Sequence, residues 1–388
     1  MPLYFDYAAT TPLHPKALAA MLPFLEGSYA NPSSVYTPAR DARKAIDAAR
    51  QSVASAINAN PDEIYFTGSG TESDNWAIKG VLEANKGRHI ITTAAEHHAV
   101  LYTCKHLEKQ GYEVTYLAVD NEGFVSPQAV EAAIRPDTAL VSIIMANNEI
   151  GTIQPISKIG VITRKAGIPF HTDAVQAVGH IPVDVNELNV DLLSLSAHKF
   201  YGPKGIGALY IRKGTKINPL LNGGAQERGR RAGTENVAGI VGQSAALEIA
   251  LEEMQAEQSR VSALRDKLID NILSAIPHVQ LNGPRDNRLP GNVNISVSFI
   301  EGEALLLHLD MLGHQASTGS ACSSGALEPS HVLTAMGVSH EMANGAIRFS
   351  LGRETTQEDI DKLMTVLPAA VERLRSLSPL YDDFMRRG

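Results

Sequence analysis

The sequence predicts an α/β fold: a large domain with a mainly parallel sheet flanked by helices, followed by a smaller α+β domain. Three observations carry this expectation. Helical patterns alternate with short apolar runs along most of the 388 residues, the order that βαβ units produce. Several runs are apolar on both faces, as strands covered by helices on either side must be. From about Asn236 the alternation gives way to a long, acid-rich helical tract on which a second domain can hinge. The boundaries that follow are 16–255 for the large, cofactor-binding domain, with 1–15 and 256–388 forming the small one.

The elements can be justified in turn. In TPARDARKAIDAARQSVASAIN, Ala42, Ala45, Ile46, Ala49, Val53 and Ile57 share a helical face, with Thr37 as N-cap and Pro38 in the first turn. EIYFTG reads as a strand, TESDNWAIKGVLEANKG as a helix stopping at Gly87, HIITTA as a strand, and HHAVLYTCKHLEKQG as a helix ending at Gly111. YEVTYLAV, TALVSIIMA, IPFHTDA and DLLSLSA are further strands, with helices such as ISKIGVITRKAG between them. Beyond the long tract, NVNISVSF and AIRFSL alternate with helices; the acidic run LEEMQAEQ reads as a solvated helix face.

Composition narrows the function classes. Apolar residues make up 44% and charged residues 20%, the balance of a soluble globular protein. A net charge of -8 argues against a nucleic-acid binder that works by neutralising phosphates. The N-terminal segment has neither a basic start nor a continuous apolar run, and no apolar stretch is long enough to span a bilayer. Cys104 and Cys322 are too few for a disulfide framework and are not spaced as a metal site. These features point to a cytoplasmic enzyme in a reducing compartment.

In open α/β sheets ligands bind beyond the carboxyl ends of the strands. SLSAHKFYGPKG places Lys199 after an apolar strand, with Ser196 and His198 beside it. A lysine held against a buried strand end loses hydration, and its neutral amine can form a Schiff base; Lys204, in the following turn, reads as an ordinary surface lysine. HTDAVQ presents Asp173 and, one turn on, Gln176. Asp173 can cap the next helix or pair with a pyridinium nitrogen. FTGSGTESDN is a glycine-bearing turn into a helix, where the amides of Gly70 and Thr71 favour a phosphate. It lacks the signatures of a dinucleotide fingerprint or P-loop. In AAEHHAV, His97 and His98 can be structural or can stack on a cofactor ring; a zinc site lacks a third ligand at sensible spacing. STGSACSSGALEPS sets Cys322 in what reads as an exposed loop, an unusual place for a residue that is commonly buried.

Together with YFDYAATTP, NPSSVY, ANNEIGTIQP, GGAQERGRRAGTEN and AIRFSLGRETT, these motifs make nearly the whole chain resemble the cysteine desulfurases (NifS/IscS type). That family belongs to the class V aminotransferase group of fold-type I pyridoxal phosphate enzymes. The resemblance implies that Lys199 bonds covalently to pyridoxal 5'-phosphate, that Asp173 pairs with its ring nitrogen and that His97 stacks on the ring. It places Gln176 and Asn148 near the phenolate oxygen, with Gly70, Thr71, Ser196 and His198 around the phosphate. Thr234 joins them from the second subunit of a homodimer, and Arg348 grips the substrate carboxylate.

The same resemblance makes Cys322 the nucleophile that takes sulfur from L-cysteine, leaving L-alanine and an enzyme persulfide, with His97 as the expected helper. Cys104, beside Leu101 and Leu107 on a helix face, reads as structural. The long Cys322 loop favours a desulfurase that feeds an iron-sulfur scaffold or another sulfur-acceptor protein. The alternatives are a selenocysteine lyase or a class V aminotransferase on the same cofactor site, and a non-catalytic sulfur-assembly scaffold, which leaves Lys199, Asp173 and Arg348 unexplained together. His98 where a lysine is frequent, Ala232 where a serine is common and GSGTES for SGATES are small departures from the family pattern.

Overall fold

The computed structural model describes residues 2–318 and 329–387. Its strands are, in chain order, β1 (Leu3–Tyr4), β2 (Ile64–Thr67), β3 (His89–Thr93), β4 (Glu113–Leu117), β5 (Thr138–Ser142) and β6 (Phe170–Asp173). They continue with β7 (Leu192–Ser196), β8 (Gly207–Ile211), β9 (Val279–Leu281), β10 (Asn292–Val297), β11 (His314–Gln315) and β12 (Ala346–Ser350). A seven-stranded sheet has the order β2-β8-β7-β6-β5-β3-β4. From β7 across to β4 neighbouring strands run parallel, which brings their carboxyl ends to one edge. β8 lies antiparallel between β2 and β7. The short connection 197–206 cannot hold a crossover helix, so the chain after β7 returns in the opposite direction.

Helices cover both faces of this sheet, as the doubly apolar strands require. On one side the helix Thr37–Ala56 turns Ile46, Ala49 and Val53 into a core with Phe66, Val141, Phe170 and Leu193. On the other, Gly70–Ala84 and His98–Glu108 bury Trp76, Ile78, Val100 and Cys104 against Ile90, Leu140 and Leu209. Successive side chains of β7 thus enter different cores, Leu193 the first and Leu192 the second.

The helix Val237–Ala275 is 39 residues long, about 58 Å at the helical rise. Its first half adds Ile240 and Leu247 to the core of the large sheet. Its second half packs Val261, Leu268 and Ile272 around a three-stranded antiparallel sheet, β12-β10-β9, with Phe5, Ile295 and Phe349. Between them Leu251, Glu252, Gln255 and Ala256 are exposed, as the acidic run predicts. Among the described residues no helix is long and apolar enough to cross a membrane.

Two local expectations need correction. Tyr36, not Thr37, is the N-cap of Thr37–Ala56; Thr37 is already helical, and its hydroxyl accepts from the Arg40 guanidinium at 2.7 Å instead of from a backbone amide. The helix Gly70–Ala84 stops short of Gly87, because Asn85 turns extended and its side-chain amide bonds the free Val81 carbonyl at 2.7 Å.

Candidate active site

The carboxyl edge of the large sheet opens into a cleft whose wall includes Ala8, Ala9, Gly70, Thr71, His97, Asn148, Asp173, Gln176, Ser196, His198, Lys199 and Arg348. Residues separated by more than 300 positions in sequence therefore meet in one place. Each arrives at a strand end or the turn after it, apart from Arg348, which lies within β12 opposite Asn294 of β10.

Lys199 closes a single 3-10 turn after β7. Its Nζ donates to the carbonyls of Ala8 and Ala9 at 2.7 and 2.8 Å. Gln176 donates to Ala8 as well, at 3.0 Å, so the N-terminal segment is sewn into the floor of the cleft. Asp173 ends β6, buried, and accepts from the Val175 amide at 2.9 Å. Burial raises its carboxyl above the ordinary value, against the opposing pull of that amide and of Lys199.

His97 caps the helix His98–Glu108, its Nδ1 accepting from the Ala99 amide at 3.2 Å. Burial first, and then Lys199, His98 and His331, lower its pKa to about 4. A neutral ring whose Nδ1 accepts must carry its proton on Nε2. His198 is likewise lowered to about 4 by burial and by Lys199 and Lys204, with Nδ1 against the Thr10 hydroxyl at 3.1 Å.

The glycine-bearing turn is rigidly supported. Ser69 caps the helix Gly70–Ala84, and Glu72 accepts from the Gly68 amide at 2.7 Å while pairing through both oxygens with Arg231 at 2.8 and 3.0 Å. A Cβ on Gly70 would lie 2.6 Å from Val175, so only glycine lets this turn lie against the loop after β6. Helix-terminal amides, the exposed Thr71 hydroxyl, Ser196 and His198 together form a donor set suited to a phosphate.

Arg348 is buried, with Nη1 on the Asn148 carbonyl and Nη2 on Asp6 Oδ1, both at 2.8 Å. Its Nε, itself shielded from solvent, has no partner among the described residues. The backbone of Arg348 pairs with that of Ser317, just before residues 319–328. Just after them, Ser330 donates to buried Glu149 and His331 Nε2 meets the Glu96 carbonyl at 2.8 Å.

Thr234 stands apart from this group: it is exposed and not part of the cleft wall. Cys322 lies outside the described residues. Cys104 is fully buried and its thiol is pushed up to about 12, in keeping with a structural role.

Comparison with known proteins is consistent with this geometry. The family profile Aminotransferase class-V matches residues 3–363. Cysteine desulfurase IscS of Dictyoglomus turgidum is 58% identical over 384 residues, covering 98% of either chain. The chain belongs to the cysteine desulfurase family. Among solved structures a NifS-like protein superposes with a TM-score of 0.91 at 40% identity, over 96% of this chain and 100% of the other. Another, SspA in complex with cysteine, gives 0.80 at 40% identity, over 90% and 98%. The predicted α/β architecture is thus that of the family.

Sequence reasoning missed several residues of this desulfurase-family site. Asp6, which anchors Arg348, lies inside the motif YFDYAATTP yet carries no local sign of its partner 342 positions away. The carbonyls of Ala8 and Ala9 leave no signature in a side-chain motif. Asp74 and Glu96, both fully buried carboxyls, sit among residues that read as helix and turn.

Proposed function

We propose that this chain removes sulfur from L-cysteine with pyridoxal 5'-phosphate as cofactor, yielding L-alanine and a persulfide on Cys322. The observation that carries the reading is the meeting of Lys199, Asp173 and Arg348 in one cleft of a chain 58% identical to a cysteine desulfurase. Gly70, Thr71, Ser196 and His198 would hold the phosphate, Lys199 would bind the cofactor covalently, and Asp173 would face its ring nitrogen. Gln176 and Asn148 would flank its phenolate oxygen. When bound, the cofactor supplies an electron sink for the pair left on a substrate carbon.

The chain's own groups divide the remaining work. Arg348 binds the substrate carboxylate through its planar fork. Lys199 moves the proton at the substrate α-carbon, and the flat, neutral His97 ring stacks in the cleft with its Nε2–H available as a donor. The Cys322 thiolate attacks the substrate sulfur: an S–S bond forms as the C–S bond breaks, the bonding pair stays with carbon, and protonation completes alanine. Support for Cys322 comes from its neighbours, since Ser317 pairs with Arg348 and Ser330 with Glu149, beside Asn148.

Thr234, exposed in the single chain, would complete the phosphate site of a partner subunit in a homodimer. The persulfide would pass in the cytoplasm to an iron-sulfur scaffold or another acceptor protein. Peptide mass spectrometry after brief exposure to L-cysteine without reductant, with borohydride trapping in parallel, tests the whole reading. One extra sulfur on the Cys322 peptide and reduced cofactor on Lys199 are expected. Cofactor on Lys199 with no sulfur on Cys322 would overturn the persulfide and turn attention to transamination.

A further inference from the structure

Beside Asp173 the wall of the cleft holds a second carboxyl, Asp74, that the reaction outlined above leaves idle. Asp74, one turn into the helix Gly70–Ala84, is 1% exposed, and its Oδ1 has no hydrogen-bond partner among the described residues. Oxygens of Asp74 and Asp173 and a ring nitrogen of His97 lie within 4.8 Å of one another. A bare carboxylate oxygen in so dry a place, next to another carboxylate, is costly unless it carries a proton.

The surrounding hydrogen bonds form one chain, from Ser142 through His171 and Ser194 to Asp74. Ser142 Oγ lies 2.9 Å from His171 Nδ1, and His171 Nε2 lies 3.0 Å from Ser194 Oγ. Burial lowers the His171 pKa to about 3, so the ring is neutral and accepts on one side while donating on the other. Ser194 is also hydrogen-bonded to Asp74, a contact that favours the ionised carboxyl and so opposes the effect of burial. His171 Nε2 is also 3.6 Å from Asp74 Oδ1, too far for a good hydrogen bond. The other ionisable groups around Asp74 are Asp173, Glu96, His97 and, across Asp173, Lys199. Burial and then Asp173 push the Asp74 carboxyl well above the usual range, against the opposing pull of the Ser194 hydrogen bond.

We propose that Asp74 is a positioning residue, a neutral carboxylic acid lodged against Asp173 that leaves Asp173 as the single negative charge facing the cofactor's ring nitrogen. The inference rests on pyridoxal phosphate occupying the cleft as proposed above. Two negative charges at this depth would repel each other and shift the protonation of whatever faces Asp173; a neutral acid fills the same volume without that effect.

Asp74→Asn keeps the size and the neutrality and removes the titration. Infrared spectra of the cofactor-free protein at neutral pH are expected to contain protonated-carboxyl absorption that Asp74→Asn diminishes, that Glu96→Gln diminishes separately, and whose Asp74 component Ser194→Ala displaces. By equilibrium dialysis at neutral pH, pyridoxal phosphate affinity in Asp74→Asn should stay within about tenfold of wild type, while Asp173→Asn loses more than that. On titration to alkaline pH, the cofactor absorbance of wild type should pass through a transition that Asp74→Asn lacks. An undiminished carboxyl band in Asp74→Asn, or an alkaline transition that persists in it, overturns the proposal. Wild-type protein that takes up no pyridoxal phosphate would instead sink the cofactor reading, and the infrared band would still report the state of Asp74.

Discussion

Removing the guanidinium of Arg348 should separate recognition of the substrate carboxylate from everything else the cleft does. Of five N–H donors, one is spent on the Asn148 carbonyl and one on Asp6, while the Nε–H has no partner among the described residues. The side chain is 3% exposed, so a carboxylate bound there is held with little screening; Asp6, at 20% exposure, already offsets part of the charge. Truncating one partner of such a pair costs about 2–5 kcal/mol. With Asp6 taking its share, about 2–4 kcal/mol is expected for Arg348→Ala, roughly a 30- to 900-fold loss of affinity. The assay is a titration of the cofactor-loaded protein with L-cysteine, followed by absorbance, in a Cys322→Ala background that stops turnover. Cysteamine, which lacks the carboxylate, is the control and should bind both proteins alike. An equal loss for cysteine and cysteamine, or no loss for either, would refute the reasoning.

Three further outcomes are expected. Cys322→Ala should keep cofactor binding and the spectral response to L-cysteine yet make no alanine; undiminished alanine production would exclude it as the sulfur acceptor. Glu227→Gln should cost about 3–5 kcal/mol in denaturant unfolding, because buried Arg50 binds both Glu227 oxygens at 2.7 Å and would keep an uncompensated charge. The same pair holds Glu227 and Arg228 in the left-handed region, with φ of 46° and 59°, so a cost under about 1 kcal/mol would show that the pair does not hold this turn. Glu96, raised to about 8 chiefly by burial from an ordinary 4.5, keeps a proton in the native state that the unfolded state loses. Native stability therefore falls as pH rises across that interval, and wild type should lose about 3 kcal/mol relative to Glu96→Gln between pH 4.5 and neutrality. A pH-independent difference between the two proteins would show that Glu96 titrates normally.

The alternating pattern was enough for the parallel strands, because a strand buried on both faces must be apolar at most of its positions, as TALVS and LLSLS are. It did not reveal β8, whose sequence GALYI resembles the parallel strands; only the short link from β7 forces its reversal. Helix ends were legible to within a few residues. The exact caps at Tyr36 and Asn85 depended on which hydroxyl or amide found a nearer partner, a choice made by local geometry.

The chemistry divides in the same way. Lys199, Asp173, His97 and the Gly70 turn stood out as candidates in the sequence because each sits at or just after a strand end, while the roles expected of them came from the family resemblance. Arg348, in mid-strand, was legible only through the family resemblance. Asp6 as the anchor of Arg348, the Ala8 and Ala9 carbonyls that accept from Lys199, and the Asp74 carboxyl beside Asp173 exist as features only once distant segments meet. A motif specifies which groups the chain owns. Burial, orphaned oxygens and the charge that one carboxyl imposes on another are properties of the packed structure, since dielectric surroundings and hydrogen-bond partners are decided by what folds against a residue.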